Sequence, residues 1–407
     1  MSQIFLPGRK LEADTTREEA PDALKDILDF EVLAEARLSD SRGAGGSASF
    51  EVSDVSGSDI IEVEFSDGLK MWQSYDDAKV DFASQETRSA HDQALLIPRH
   101  VHFDGQGGES RGLGTYLVRA VRVLKGKPAA KAGALTALKI ARKVEETPLL
   151  GPDGTRMYDH GVLKCERVQE NGKSVIKLSK LTSKISATKK CLMFLHGTFS
   201  STQGSFGDLA AAPNAEIWDK LVEAYPGGIY ALEHRSVTQS PIENAILVAK
   251  ELQKNTRISF ITHSRGGLIG ELMCRASRLD TKVEDAIDDV DEEIFRSFEG
   301  DLHRAQLKAL KELRQLLADK KLRVEQVVRV AGPIAGTTLA SERLDRYMSV
   351  ALNVFELVPV LNTTGIAALM KSFMMGFIHT KADPNELAGL EAMRPISPLV
   401  RGRSCCP

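Results

Sequence analysis

The run Arg257-Ile258-Ser259-Phe260-Ile261-Thr262-His263-Ser264-Arg265-Gly266-Gly267-Leu268-Ile269 constrains this chain more than any other stretch. Apolar residues stop at a small polar one, a serine follows, and a glycine pair leads into further apolar residues. That order predicts a buried strand, a sharp turn and a helix, with Ser264 at the turn. The spacing is that of G-x-S-x-G with Thr262 in place of the first glycine. The shape has a chemical use. A serine hydroxyl is a poor nucleophile unless it stands clear of the sheet, beside a base and near backbone N–H groups. Gly266 lets a helix pack close behind the turn, and Gly267 relieves crowding further. The plainer alternative is an ordinary strand-to-helix connection, and the pentapeptide alone does not separate the two.

Two other segments bear on that choice. Upstream, the apolar run Cys191-Leu192-Met193-Phe194-Leu195 opens into His196-Gly197-Thr198-Phe199-Ser200-Ser201. Downstream, Gln326-Val327-Val328-Arg329-Val330-Ala331 runs into Gly332-Pro333-Ile334-Ala335-Gly336-Thr337. Strand with His-Gly and a small polar residue, then T-H-S-R-G-G, then a strand with a G-T loop, together resemble lipase-like serine hydrolases. The resemblance covers residues 190 to 400. It implies an α/β-hydrolase-type, mainly parallel, doubly wound sheet (class α/β), preceded by an accessory α+β region. It also implies Ser264 as nucleophile and the backbone N–H groups of Thr198 and Arg265 as the oxyanion hole. An ester or lipid-like small molecule is then the expected substrate, with no metal and no cofactor.

Such an enzyme needs an acid and then a histidine after the serine, the histidine to take the serine proton and the acid to orient it. After Ser264 only His303 and His379 remain. His303 falls in a charged stretch. His379 follows an apolar run and precedes Asp383, which makes it the candidate base. Relatives of this kind are expected to carry two more strands past the 390s, whereas here the chain runs to Arg401-Gly402-Arg403-Ser404-Cys405-Cys406-Pro407 without strand periodicity. That tail reads as a truncation. The alternative function is accordingly a catalytically inactive pseudo-hydrolase that acts as a protein-interaction module.

Composition sets wider bounds. A formal net charge of −3 gives no electrostatic case for nucleic acid as partner. Five cysteines, scattered apart from Cys405-Cys406, do not form a disulfide framework. There is no apolar leader and no run long enough to span a bilayer, so a cytoplasmic location is the default expectation.

Two regions are expected, an accessory one over 1–155 and a hydrolase-like one over 156–407. In the first, residues 11–40 show helical spacing through Leu24, Ile27, Leu28, Val32 and Leu33. Ser41 to Ser47 has linker composition. Ile61 to Phe65, followed by Ser66-Asp67-Gly68, suggests a hairpin. Lys125 to Lys143 is expected to be a helix with a solvated basic face. In the second, Glu170-Asn171-Gly172-Lys173 lies between alternating runs and predicts another hairpin. A charged insertion spans 280–323, with Leu302, Ala305, Ala309, Leu313 and Leu316 at helical spacing. Its acids (Glu284, Asp285, Asp288, Asp289, Asp291, Glu292, Glu293) are expected to be a solvated rim rather than a metal site. Residues 344–378 are apolar and Met-rich, either capping an acyl pocket or packing as core or subunit interface. The truncation reading adds self-association through an open strand edge at 326–331.

Overall fold

The computed structural model describes residues 2–7, 9–10, 28–38, 49–83, 94–102, 115–128, 137–146, 160–170, 172–211, 213–275, 289–337, 349, 353, 366–380 and 386–401. Packing divides the chain into two compact units. The first joins Met1–Thr147 with Arg343–Asp383, and the second joins Pro148–Glu342 with Pro384–Pro407. The apolar segment expected in the second region thus groups with the first unit.

In the first unit, β1 (Ser2–Pro7) lies between β4 (Ser49–Val55), antiparallel to it, and β7 (Ala94–Leu96), parallel to it. A larger antiparallel sheet runs β2 (Arg9–Lys10), β3 (Leu28–Arg37), β9 (Thr115–Pro128), β5 (Ile60–Phe65), β6 (Lys70–Ser74), with β8 (His100–His102) also on β9. The hairpin at Ser66–Gly68 joins β5 to β6, and Gly68 takes φ +87°, a left-handed conformation that glycine adopts without steric cost. Ile4, Leu6, Ala34, Ala36, Ile61, Val63, Val121 and Val123 fill the core between these strands. Helices α1 (Tyr75–Ala83) and α2 (Ala137–Glu146) complete the N-terminal part.

Three expectations change here. Leu28, Val32 and Leu33 lie in strand β3, not in a helix. Phe30, Ala34 and Ala36 are buried at even spacing, and pairing of nine residues with β9 overrides the local helical pattern. Leu24 and Ile27, like the stretch from Ser41 to Ser47, lie outside the described residues. From Lys125 to Pro128 the chain is still strand β9, and the helix begins only at Ala137, burying Ile140, Ala141 and Val144. Of the apolar 344–378 segment, helix α9 (Ile366–His379) is described, and it buries Phe373, Met374 and Met375. A Cβ at its Gly376 would meet Ile140 of α2 at 2.9 Å. Those side chains are core of the first unit; Val350 to Gly365 lie outside the described residues apart from Asn353.

In the second unit one six-stranded sheet runs β11 (Lys173–Lys180), β10 (Gly161–Glu170), β13 (Ile229–Glu233), β12 (Cys191–Leu195), β14 (Arg257–His263), β15 (Arg323–Val330). Parallel pairing is confined to β13-β12-β14-β15, while β10 is antiparallel to both of its neighbours. The expected single, mainly parallel, doubly wound α/β-hydrolase sheet is therefore corrected. The chain carries a mixed sheet here and antiparallel pairing through most of the first unit. Turn length is the reason. Glu170 pairs with Lys173 across two residues, which permits only an antiparallel return, whereas parallel neighbours need a long crossover.

Helices α3 (Thr202–Phe206), α4 (Ala215–Ala224), α5 (Pro241–Glu251) and α6 (Gly266–Cys274) supply the crossovers that reach β14 and leave it. All five residues of β12 are buried, as a strand covered on both faces requires. A reciprocal capping box between Ser240 and Glu243, with Pro241 in the first turn, starts α5. The charged insertion folds as α7 (Asp289–Arg296) and α8 (Asp301–Lys320). The buried row of α8 is Gln306, Leu310, Leu313 and Leu317, so only Leu313 of the expected stripe is fully inside. Asp291 is ion-paired with Arg275 at 2.7 Å, and Glu292 with Arg296 at 2.9 Å and Arg314 at 3.2 Å. No metal-binding cluster occurs among the described residues, which exclude Glu284, Asp285 and Asp288.

Candidate active site

Ser264 follows the last residue of β14 and precedes α6, and its φ is +49°. Left-handed backbone is strained for a residue with a Cβ, so the surroundings must hold it there. The Ser264 N–H donates to the Val330 carbonyl of β15 at 2.8 Å, and its own carbonyl accepts from Gly267 at 2.9 Å. A Cβ on Gly197 would lie 2.9 Å from Ser264 Cβ, and one on Gly266 would collide with the Leu195 carbonyl. Glycine at both positions lets β12, its following loop and α6 close around the serine. Gly332 packs against Gly267 and the Ser264 carbonyl. The three segments singled out in the sequence meet at this point, and Ser264 remains half-buried.

Thr198 is buried in the loop after β12, with Oγ1 donating to Met393 Sδ at 3.6 Å. The next residue, Phe199, also has left-handed backbone (φ +51°), and its N–H donates to Ser236 Oγ at 2.9 Å. The Arg265 side chain is fully buried and donates to the carbonyls of Gly389 and Gln239 and to Asn244 Oδ1. It thereby ties the turn to the start of α5 and to the segment 387–393. Thr337 N–H donates to the Met393 carbonyl at 2.7 Å, joining that segment to the loop after β15.

The structure does not bring His379 together with Ser264 in one unit. His379 ends α9 in the first unit, where its ring meets Phe30 edge-on at 6.2 Å and burial lowers its pKa. His303, on α8, hydrogen-bonds the Glu299 carbonyl and Glu391. Among the described residues no side chain hydrogen-bonds the Ser264 hydroxyl. His263 lies nearer: a Cβ on Gly197 would be 3.3 Å from its Nδ1, and that nitrogen bonds Ser205 Oγ at 3.2 Å. Ser205 Oγ in turn bonds Ser200 Oγ at 2.8 Å. Half-burial lowers the His263 pKa, so the ring is neutral and able to accept a proton.

Sequence reasoning missed a second buried set. His196 and His234 stack with centroids 4.0 Å apart, and Glu233 Oε2 stands 3.6 Å from His196 Nε2. Burial pushes His196 down to about 3 and His234 well below its ordinary value, and pushes Glu233 up to about 7. The one available signal was a Glu-His pair where an apolar strand ends.

Fold and site define a mixed-sheet protein with a strained serine at a strand-to-helix turn, flanked by glycine-rich loops. The chain belongs to the family described as Domain of unknown function (DUF7379), matched over residues 165–290 and 306–402, which include Thr198, Glu233 and Ser264. No curated protein matches the sequence. No described helix is long and apolar enough to cross a membrane.

Proposed function

We propose that this chain is a serine hydrolase that cleaves an ester of a lipid-like small molecule through Ser264. The observation that carries the reading is the Ser264 backbone. A strained φ of +49° sets Ser264 between a buried parallel strand and a helix, and the Gly197 backbone lies against its Cβ. Ser264 Oγ would attack the ester carbonyl, forming the acyl–oxygen bond. Its proton would pass to a base and then to the departing alkoxide, and water would cleave the acyl-enzyme. The N–H groups of Thr198 and Arg265 would hold the oxyanion, a donor of this kind being worth about 10²–10³ in kcat. His263 is the base candidate by position, and His379 is its rival. Cys165, Cys191 and Cys274 are not joined in disulfides, which suits a reducing cytoplasm. Self-association through β15 is a separate proposal, supported by the exposed Val328 and Val330.

A fluorophosphonate probe is expected to label the wild-type chain at Ser264 and to leave Ser264→Ala unlabelled. Comparing His263→Ala with His379→Ala assigns the base, since only the true one abolishes labelling near neutral pH. A folded wild type that takes no label would favour the inactive, partner-binding alternative.

A further inference from the structure

The buried set at the carboxyl ends of β12 and β13 has a hydrogen-bond order that fixes its protons. His196 Nδ1 lies 2.9 Å from the Gly197 carbonyl. A carbonyl only accepts, so Nδ1 carries the ring proton. Nε2 must then accept, and it receives the His234 backbone N–H at 3.3 Å. Glu233 Oε2 faces this same Nε2, while Oε1 accepts the Thr202 N–H at 2.7 Å. Glu233 Oε2 stands 3.6 Å from Nε2, outside hydrogen-bond distance, and the one lone pair of Nε2 is held by the His234 N–H, so a neutral Glu233 leaves the Nδ1–H form in place. The Gly197 carbonyl and the Thr198 N–H belong to one planar trans peptide and point in opposite directions. Whatever grips the carbonyl therefore aims the Thr198 N–H.

We propose that Glu233 and His196 are positioning residues for the Thr198 N–H, aiming it while Glu233 is protonated and releasing it when the carboxylate ionises. Calling that N–H an oxyanion donor rests on the hydrolase reading; the proton-linked turn of the peptide does not. On ionisation the Glu233 proton leaves to solvent. The His196 proton moves from Nδ1 to Nε2 toward the carboxylate, so the ring charge does not change and the His234 N–H gives up its acceptor on Nε2. Nδ1 then presents a lone pair to the Gly197 carbonyl, two acceptors face each other, and the peptide rotates.

Burial pushes Glu233 up to about 7 against the lowering effect of Thr202, which places the change near neutral pH. His196, held to about 3, does not become imidazolium there. The other groups facing the set are His234 beside His196, Arg265 from the head of α6, His263 from β14, His160 ahead of β10, and Cys165 on β10 facing Glu233. Arg265 stays charged throughout, and burial raises the Cys165 thiol and keeps it neutral.

The full chain labelled with ¹⁵N-threonine and ¹⁵N-histidine tests this by NMR. The Thr198 amide is assigned as the signal lost in Thr198→Ser. In the wild type it is expected to move between about pH 5.5 and about pH 8.5 with a midpoint near Glu233's, with His196 in the Nδ1–H form on the acid side. Glu233→Gln mimics the protonated acid and should hold the signal at its acid position at every pH. His196→Asn keeps a donor for the Gly197 carbonyl and should also remove the titration, serving if Glu233→Gln does not fold. His160→Gln should leave the midpoint unchanged. A Thr198 signal that is static in the wild type, or that titrates equally in Glu233→Gln, overturns the proposal. In a parallel arm, wild type and Glu233→Gln should take the fluorophosphonate equally at acid pH, with wild type slower at alkaline pH by about 100-fold. A titrating Thr198 amide in a chain that never takes the probe would keep the positioning device and reject the hydrolase.

Discussion

At Ser264 the cost of the left-handed backbone falls on any residue that carries a Cβ, at about 1–2 kcal/mol. Glycine escapes it but loses about 0.5–1 kcal/mol to the freedom of the unfolded chain. Ser264→Gly is therefore expected to be more stable than Ser264→Ala by up to about 1 kcal/mol in urea unfolding, although both lack the hydroxyl. Equal stability would show that the φ of +49° stores no strain. Glu233 gives a second prediction, in stability against pH. Its folded pKa of about 7 stands above its ordinary 4.5, so the folded state holds the proton more tightly. Its favourable contribution is complete below about pH 4.5 and is lost as pH rises through about 7. Glu233→Gln does not titrate, so its stability should gain on the wild type across that window by about 3 kcal/mol and then stay level. Tm at a series of pH values reads this out, and parallel curves would refute it.

Helix α6 is placed by two glycines one turn apart. A Cβ at Gly266 would strike the Leu195 carbonyl of β12, and one at Gly270 would meet Thr262 Cγ2 of β14 at 2.9 Å. Gly266→Ala must lift the helix from the sheet, at about 1–3 kcal/mol, and carry Ser264 with it. The expected result is a lower urea midpoint together with loss of probe labelling; a normal midpoint with full labelling would contradict the packing. Gly266 was legible in the sequence because the helix must pack close behind the turn, whereas Gly270 was not singled out there and only its contact with Thr262 reveals its use. The Asn-Gly hairpin at 170–173 was legible for a similar local reason. Strand β3 was not: Val32 and Leu33 fit a helical stripe, and only pairing with β9, some ninety residues away, decides otherwise. The sheet was over-read as well, since apolar runs at 191–195 and 257–262 announce parallel strands but say nothing of how far the parallel order extends. The Glu233–His196 contact joins the ends of two strands through the fold alone, so no local spacing encodes it.

On the scale of the whole molecule, β15 ends the described order of its sheet. Parallel strands are ordinarily covered on both faces, yet Val328 and Val330 are 52% and 49% exposed. They lie two residues apart and so share a face. On the other face Arg329 pairs with Glu271 of α6 at 2.9 Å, and at the start of the strand Glu325 pairs with Arg257, so the neighbouring charges are turned toward the chain itself. Among the described residues, the valine face of this edge (Val328, Val330) carries no charged side chain to keep it from pairing with another copy. Self-association that grows with concentration is the expected outcome, read by sedimentation velocity with a reductant present. Val328→Lys sets a charge on that face and should shift the population toward monomer. Val80→Lys, made at the more exposed Val80 of α1 (74%), should leave it unchanged. A wild type that stays monomeric over about a tenfold concentration range would reject the edge as the contact, and equal effects of the two lysines would reduce it to general solubility.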